Sequence, residues 1–280
     1  LKRKKKLKLL SRKRILELKP YLDEVVKEIE VPEYIDDDPV QFLHAFQDKD
    51  DIEIAGFFTA IMAWGRREIV IAKVDDFLKR LQYRPVEFIG NFTESDASVL
   101  GGFKHRTFKP VDMYWFIKTI QSILTEHGSF EGFWAHCWKR AQSEDRELMS
   151  VFNEAFFSFH PEIPQRSHKH ISNPDKGGSC KRLYMYLRWT VRKSVVDLGI
   201  MNFISPAELK IPLDVHVARQ ARRLGLLSRY QNDWKSVLEL TDKMKLLDPT
   251  DPAKYDYALF GLGVKPELLD ESLILNPGSQ

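Results

Sequence analysis

N-P-D-K-G-G-S-C-K-R-L (Asn173–Leu183) and I-P-L-D-V-H-V-A-R-Q-A-R-R-L-G-L-L (Ile211–Leu227) are the two stretches around which the 280-residue chain is organised. In the first, Gly177 and Gly178 permit a tight turn whose backbone can come close to a ligand. A helix starting at Lys181 leaves its first N–H groups unpaired, an anion site beside Lys176, Ser179, Lys181 and Arg182. In the second, Asp214 follows Pro212 at the head of a helix that carries Arg219, Arg222 and Arg223. Its structural role is an N-cap, accepting from the amide of Val217 or a neighbour. Spacing alone favours that role over a chemical one.

Working outward, Arg182–Val196 predicts a helix with Leu183, Leu187 and Val191 on one face and Arg188, Arg192 and Lys193 on another. Upstream, Arg12–Glu30 is helical, with Pro20 breaking it or beginning a second helix. Asp50–Trp64 carries the apolar stripe Ile54, Phe57, Phe58, Ile61 and Met62, with Asp51 as the expected cap. W-G-R-R then places Trp64, Arg66 and Arg67 at the tip of a helix–turn–helix, and Glu68–Leu81 resumes the helical period. Tyr83–Phe108 is irregular. Pro110–Glu126, Ser129–Ala141 and Asp145–Phe159 are helices whose aromatics are core rather than cofactor ligands. Downstream come helices at Asp214–Leu224 and Asp233–Met244, then a loop, a short helix and a glycine stop within Asp248–Gly263. No stretch alternates with period two and no repeat is visible, so the fold class is all-α with about a dozen helices. The chain divides into a basic N-terminal arm and helix (1–30), one all-α domain (31–270) and a tail (271–280), with poor order expected after Leu269.

At 43% hydrophobic and 12% aromatic residues the chain is globular, and no apolar run is long enough to span a membrane. It shows no signal peptide. Two cysteines, Cys137 and Cys180, form no disulfide framework and point to a reducing cytoplasm; they also cannot build a four-cysteine iron–sulfur site. The net charge of +3 is uneven: residues 1–19 hold ten Lys/Arg against Glu17, leaving the remainder acidic. Such an arm suits a phosphate backbone or an anionic surface, and equally a solvated terminus. Asp36, Asp37 and Asp38 read as a solvated cap before a helix rather than a metal site. His160, His168 and His170 have zinc-like ligand types but no matching spacing. No metal and no cofactor is expected.

P-L-D-V-H-V-A-R-Q-A-R-R-L-G-L resembles the aspartate-bearing helix of the helix–hairpin–helix DNA glycosylase superfamily, in which Asp-x-His-Val-x-Arg precedes Arg-Leu-Gly. The match is local: strong at Pro212–Leu226, weaker at Gly177–Lys181. The usual Leu-Pro-Gly-Val-Gly hairpin is replaced by Asp-Lys-Gly-Gly-Ser, and Lys181 and Asp214 lie 33 residues apart. That separation is similar to archaeal 8-oxoguanine DNA glycosylases. The whole chain is also similar to an uncharacterised bacterial family of unknown function, through G-G-S-C-K-R-L, L-R-W-T-V-R, P-L-D-V-H-V and D-P-A-K-Y-D-Y-A-L-F; that likeness supplies no activity.

The glycosylase resemblance implies two helical lobes around a cleft and base-excision repair of a damaged base, such as an oxidised purine, with AP-lyase activity. Duplex DNA is then the partner, or RNA in its place, in a bacterial cytoplasm and at the nucleoid if DNA is bound. Cleaving an N-glycosidic bond builds positive charge on the sugar, which a carboxylate stabilises; Asp214 is the candidate. A neutral amine attacking C1′ forms a Schiff base; Lys181 is the candidate. His216 would hold Asp214 or a phosphate, or simply be a satisfied helix histidine. Lys176, Gly177, Gly178, Ser179, Arg182 and Arg219 would grip the backbone, and Arg66 or Arg67 would fill the gap left by a flipped base. Trp64, Phe103 and Trp189 are candidates for the base pocket. Two rival readings remain: the same fold as a DNA- or RNA-binding module without chemistry, and a metal-dependent hydrolase using Asp36–Asp38 and His160–His170.

Overall fold

The computed structural model describes residues 7–278, so Lys2, Arg3, Lys4, Lys5 and Lys6 of the basic arm lie outside the described residues. Among the described residues the chain is all-α, with no β-strand beyond two isolated bridges. Ser11 caps α1 (Arg12–Glu17), and α2 (Lys19–Ile29) begins with Pro20 in its first turn, where the missing N–H costs nothing. The short α3 (Glu33–Asp37) and α4 (Gln41–His44) follow, linked by Asp38, which accepts from the Val40 amide at 3.1 Å and the Tyr34 hydroxyl at 3.0 Å. Then come α5 (Lys49–Met62), α6 (Arg67–Arg80), α7 (Pro85–Gly90), α8 (Pro110–His127), α9 (Phe130–Glu144) and α10 (Leu148–Ser158). The chain continues through α11 (Lys181–Val191), α12 (Val215–Arg223), α13 (Trp234–Leu247) and α14 (Tyr255–Val264).

α5 is the axis of the packing. Every residue from Ile52 to Met62 is buried, and α4, α6, α7, α9 and α11 pack around it. Beside it the aromatics of α8, α9 and α10 interlock, with Trp134 stacked on Phe152 at 4.0 Å. α14, apolar on nearly all sides, packs against α2 and α12, while α13 lies against α1. The buried hydrophobic residues form one continuous cluster running from Ile15 to Leu262.

Several expectations are corrected. Asp48, not Asp51, caps α5; Asp51 instead accepts from the Val86 amide at 3.0 Å, tying in α7 within the stretch expected to be irregular. α11 stops at Val191 rather than Val196, because Ser194 accepts from the amides of Val196 and Asp197 and the Leu198 amide returns to the Trp189 carbonyl. Arg188 and Arg192, expected on a face apart from the apolar stripe, are themselves buried, at 4% and 5% exposed. α14 runs through Gly263 instead of ending there; a Cβ at that glycine would stand 2.9 Å from the His216 side chain. The tail is docked, with the amides of Leu275 and Asn276 both donating to the Arg223 carbonyl.

Candidate active site

The hairpin before α11 is fixed from several sides. Asn173 accepts from the Asp175 amide through its side chain and from Gly178 through its carbonyl, and the Trp234 amide donates to the Gly177 carbonyl. Ser150 donates to Asp175 at 2.8 Å. Gly177 takes the left-handed conformation at φ +77°, and Gly178 has no room for a side chain, since a Cβ would meet Ser172 Oγ at 2.1 Å. Cys180 also sits left-handed, at φ +53°, and no side chain caps α11 behind it. Its thiol is buried and pushed up to about 12 by burial, as is that of Cys137, so neither is a thiolate nucleophile.

This turn delivers Lys181 to the first position of α11. Asp214 arrives as the N-cap of α12, accepting from the Val217 amide at 2.8 Å through Oδ1, the cap that spacing predicts. Its other oxygen lies 3.9 Å from Lys181 Nζ, and the two side chains are 17% and 29% exposed. Thus the cap and the facing carboxylate are the same residue. Two cavities meet at this pair. An outer one of about 590 Å³ is lined by Trp64, Lys169, Ser179, Arg182 and Asn232. An inner one of about 300 Å³ is lined by Tyr34, Arg67, Arg188, Trp189, Asp256 and Phe260. Lys181, Asp214 and His216 border both.

Beneath the inner cavity lies a buried ionic network. Arg188 donates to Asp256 and sits 4.0 Å over the Tyr257 ring. Arg192 donates to Asp197 at 2.7 Å, to Asp251 at 2.7 Å and to Glu30. Burial pushes the Asp256 carboxyl up to about 7; Arg188 pulls it down and Asp214 adds to the rise. Sequence reasoning passed over Arg188 and Asp256. The available signal was a lone charge inside each of two apolar helices, Y-M-Y-L-R-W-T-V and Y-D-Y-A-L-F, which must find a partner when buried.

The other anticipated residues divide. Trp64 and Trp189 line the outer and inner cavities respectively. Phe103 does not: it is 1% exposed in the core against Phe77, where Lys73 and Arg80 cover its ring. Arg67 turns inward over Phe260 at 5.8 Å, whereas Arg66 stays outside near Glu68. Arg182 is a strut, donating to the carbonyls of Ile61 and His170, and burial lowers its pKa to about 10. Lys176 is exposed on the hairpin and borders neither cavity. His216 meets Arg219 at 3.3 Å and the edge of Phe260; no hydrogen bond joins it to Asp214. Arg106, not anticipated, lies 4.7 Å over the Trp64 ring.

His160 contacts Ser122, His168 stacks on Phe157 and His170 faces Asp112, so the three histidines point to separate partners. Among the described residues no group of three or more His, Cys, Asp or Glu is placed to hold a metal ion. Nor, among them, is any helix long and apolar enough to cross a membrane.

The profile of one protein family matches residues 38–265, from Asp38 to the end of α14. The chain belongs to the family described as "Protein of unknown function (DUF2400)". The match takes in the hairpin, Lys181, Asp214 and the floor of the inner cavity. No curated protein and no solved structure matches the chain.

Proposed function

We propose that the chain is a DNA glycosylase with AP-lyase activity that excises a damaged base, with Lys181 as nucleophile and Asp214 as its carboxylate partner. The observation that carries this reading is the 3.9 Å approach of Lys181 Nζ to Asp214 Oδ2 where the two cavities meet. The helices around α5 and those around α14 are read as the two lobes of a helix–hairpin–helix glycosylase-like fold, and α11 as the helix after its hairpin. The inner cavity takes the flipped base and the outer one the sugar and flanking phosphate. The uncapped start of α11 offers N–H groups to that phosphate.

In the step proposed, Lys181 attacks as the neutral amine, and the Asp214 carboxylate stays ionised and stabilises the charge growing on the sugar. The amine bonds to C1′ while the glycosidic bond breaks and its electron pair leaves with the base. The bonded amine then passes a proton to O4′ as the C1′–O4′ bond breaks, and the Schiff base so formed opens the strand-cleaving route. Apo sites of this kind often hold their reacting groups slightly beyond hydrogen-bond length and tighten when substrate arrives.

Borohydride trapping on duplexes carrying an abasic site, 8-oxoguanine, uracil or no lesion tests this. Wild type is expected to give a covalent adduct, Lys181→Ala none, and Asp214→Asn a trapping rate lower by roughly 10²–10³. An adduct that survives in Lys181→Ala moves the nucleophile elsewhere. Tight duplex binding with no adduct and no base release on any substrate favours the non-catalytic binding module.

A further inference from the structure

The deep side of the inner cavity takes no part in the Lys181–Asp214 step, yet it carries charge. Asp256 is 6% exposed and Arg188 4%. Removing two charges from water is costly, and their attraction repays it only when further hydrogen bonds satisfy the remaining lone pairs and protons. This pair lines the cavity. Three carboxylates do so, and two are engaged. Asp38 accepts from the Val40 amide and the Tyr34 hydroxyl. Asp214 accepts from the Val217 amide and turns its other oxygen to Lys181. Asp256 gives Oδ2 to Arg188, and among the described residues that is its one side-chain hydrogen bond. Trp189 lines the same cavity at 1% exposure, and among the described residues its indole N–H has no hydrogen-bond partner. Both an acceptor and a donor are therefore unused at this site.

The cavity of about 300 Å³ holds roughly ten waters' worth of volume, which suits one bicyclic base. We propose that Asp256 reads the base that enters, its carboxylate accepting the adjacent N1–H and N2–H of a 2-amino-6-oxopurine edge, shared by guanine and 8-oxoguanine. An ionised carboxylate only accepts, and each oxygen has lone pairs to spare beyond the Arg188 bond. Adenine and cytosine set a ring-nitrogen lone pair beside their amino group, so one half of the fork would be repelled. Uracil and thymine offer one N–H between two carbonyls. The guanine edge alone among the common bases presents two neighbouring donors. The proposal rests on the glycosylase reading for the base's arrival, but the choice of edge follows from Asp256 itself.

Calorimetric titration of the full chain with guanosine, 8-oxoguanosine, inosine and adenosine at pH 8 tests it without DNA and without turnover. Guanosine and 8-oxoguanosine are expected to bind roughly ten- to hundredfold more tightly than inosine, which lacks the 2-amino group. Asp256→Asn should bring the guanosine–inosine gap to within about twofold. Because that change leaves Arg188 with Asp197 as its one carboxylate partner among the described residues, the double variant Arg188→Met with Asp256→Asn removes the pair together, and its thermal melt reports whether the fold is kept. Equal binding of guanosine and inosine, a gap that persists without Asp256, or no guanosine binding at millimolar concentration each overturns the proposal. Trapping at Lys181 with no edge preference removes the role of Asp256 alone; an edge preference without trapping removes the glycosylase reading alone.

Discussion

Glu53 is a carboxylate in the middle of the core helix α5, fully buried, with one oxygen accepting from the Glu131 amide at 2.8 Å and the other 3.8 Å from Lys49 Nζ, without a hydrogen bond among the described residues. Burial raises its pKa from 4.5 to about 7, against the pull of the Glu131 amide and Lys49. A folded value above the unfolded one means stability is fullest below pH 4.5 and is lost as pH rises through about 7. Glu53→Gln is therefore expected to stabilise the chain at pH 8 by on the order of 2–3 kcal/mol and to do little at pH 5, read by urea unfolding at both pH values. Asp112 behaves oppositely. Burial opposes its charge, but hydrogen bonds from His170, Arg166 and Ser167 prevail and hold it well below the usual carboxylate range, so its contribution is lost only in strong acid. At this scale the sequence was legible where one residue answers to its own neighbours. Asp214 as a cap could be read from Pro-Leu-Asp-Val, because capping is local. The partners of Asp256 and Arg188 are 68 residues apart, and nothing local names them.

Among elements, the Asn173–Cys180 hairpin is the most sensitive, since it sets where Lys181 stands. Its two glycines should fail differently. Gly177→Ala adds a methyl into open space but keeps φ at +77°, a cost of roughly 1–2 kcal/mol. Gly178→Ala drives a Cβ against Ser172 and the Asn173 backbone, which forces the turn open. Its expected cost is about 1–3 kcal/mol in thermal unfolding, together with loss of trapping at Lys181 out of proportion to the lost stability. The helices were legible from period and cap residues, and α2, α5, α8 and α12 fall close to their expected bounds. α11 ran short for a reason that periodicity does not contain: the Ser194 and Leu198 hydrogen bonds turn the chain back, and Arg192 at that turn meets Glu30, Asp197 and Asp251 from outside its own helix. Phe103 shows the same limit, because a Gly-Gly-Phe loop looks exposed until Phe77 is seen behind it.

For the molecule as a whole, the network Glu30–Arg192–Asp197–Arg188–Asp256 joins the N-terminal helix α2 to the floor of the inner cavity. Arg192 serves three carboxylates, so removing it should be worse than removing one of them. Arg192→Met is expected to cost about 3–5 kcal/mol by guanidinium unfolding, and Glu30→Gln considerably less. Glu30→Gln should also spare nucleoside binding if α2 only braces the floor. One further property follows from the docked tail. Lys8 and Asn276 exchange hydrogen bonds at 2.9 Å in both directions, and Leu10 donates to the Gly225 carbonyl nearby. The first and last described segments thus lie side by side at the far end of α12, away from Asp214. A circular permutant that links them directly and opens the chain in the exposed 94–99 turn should fold to the same structure and leave Lys181 and Asp214 undisturbed. The order in which the helices leave the ribosome would change, while the surface offered to a substrate would not.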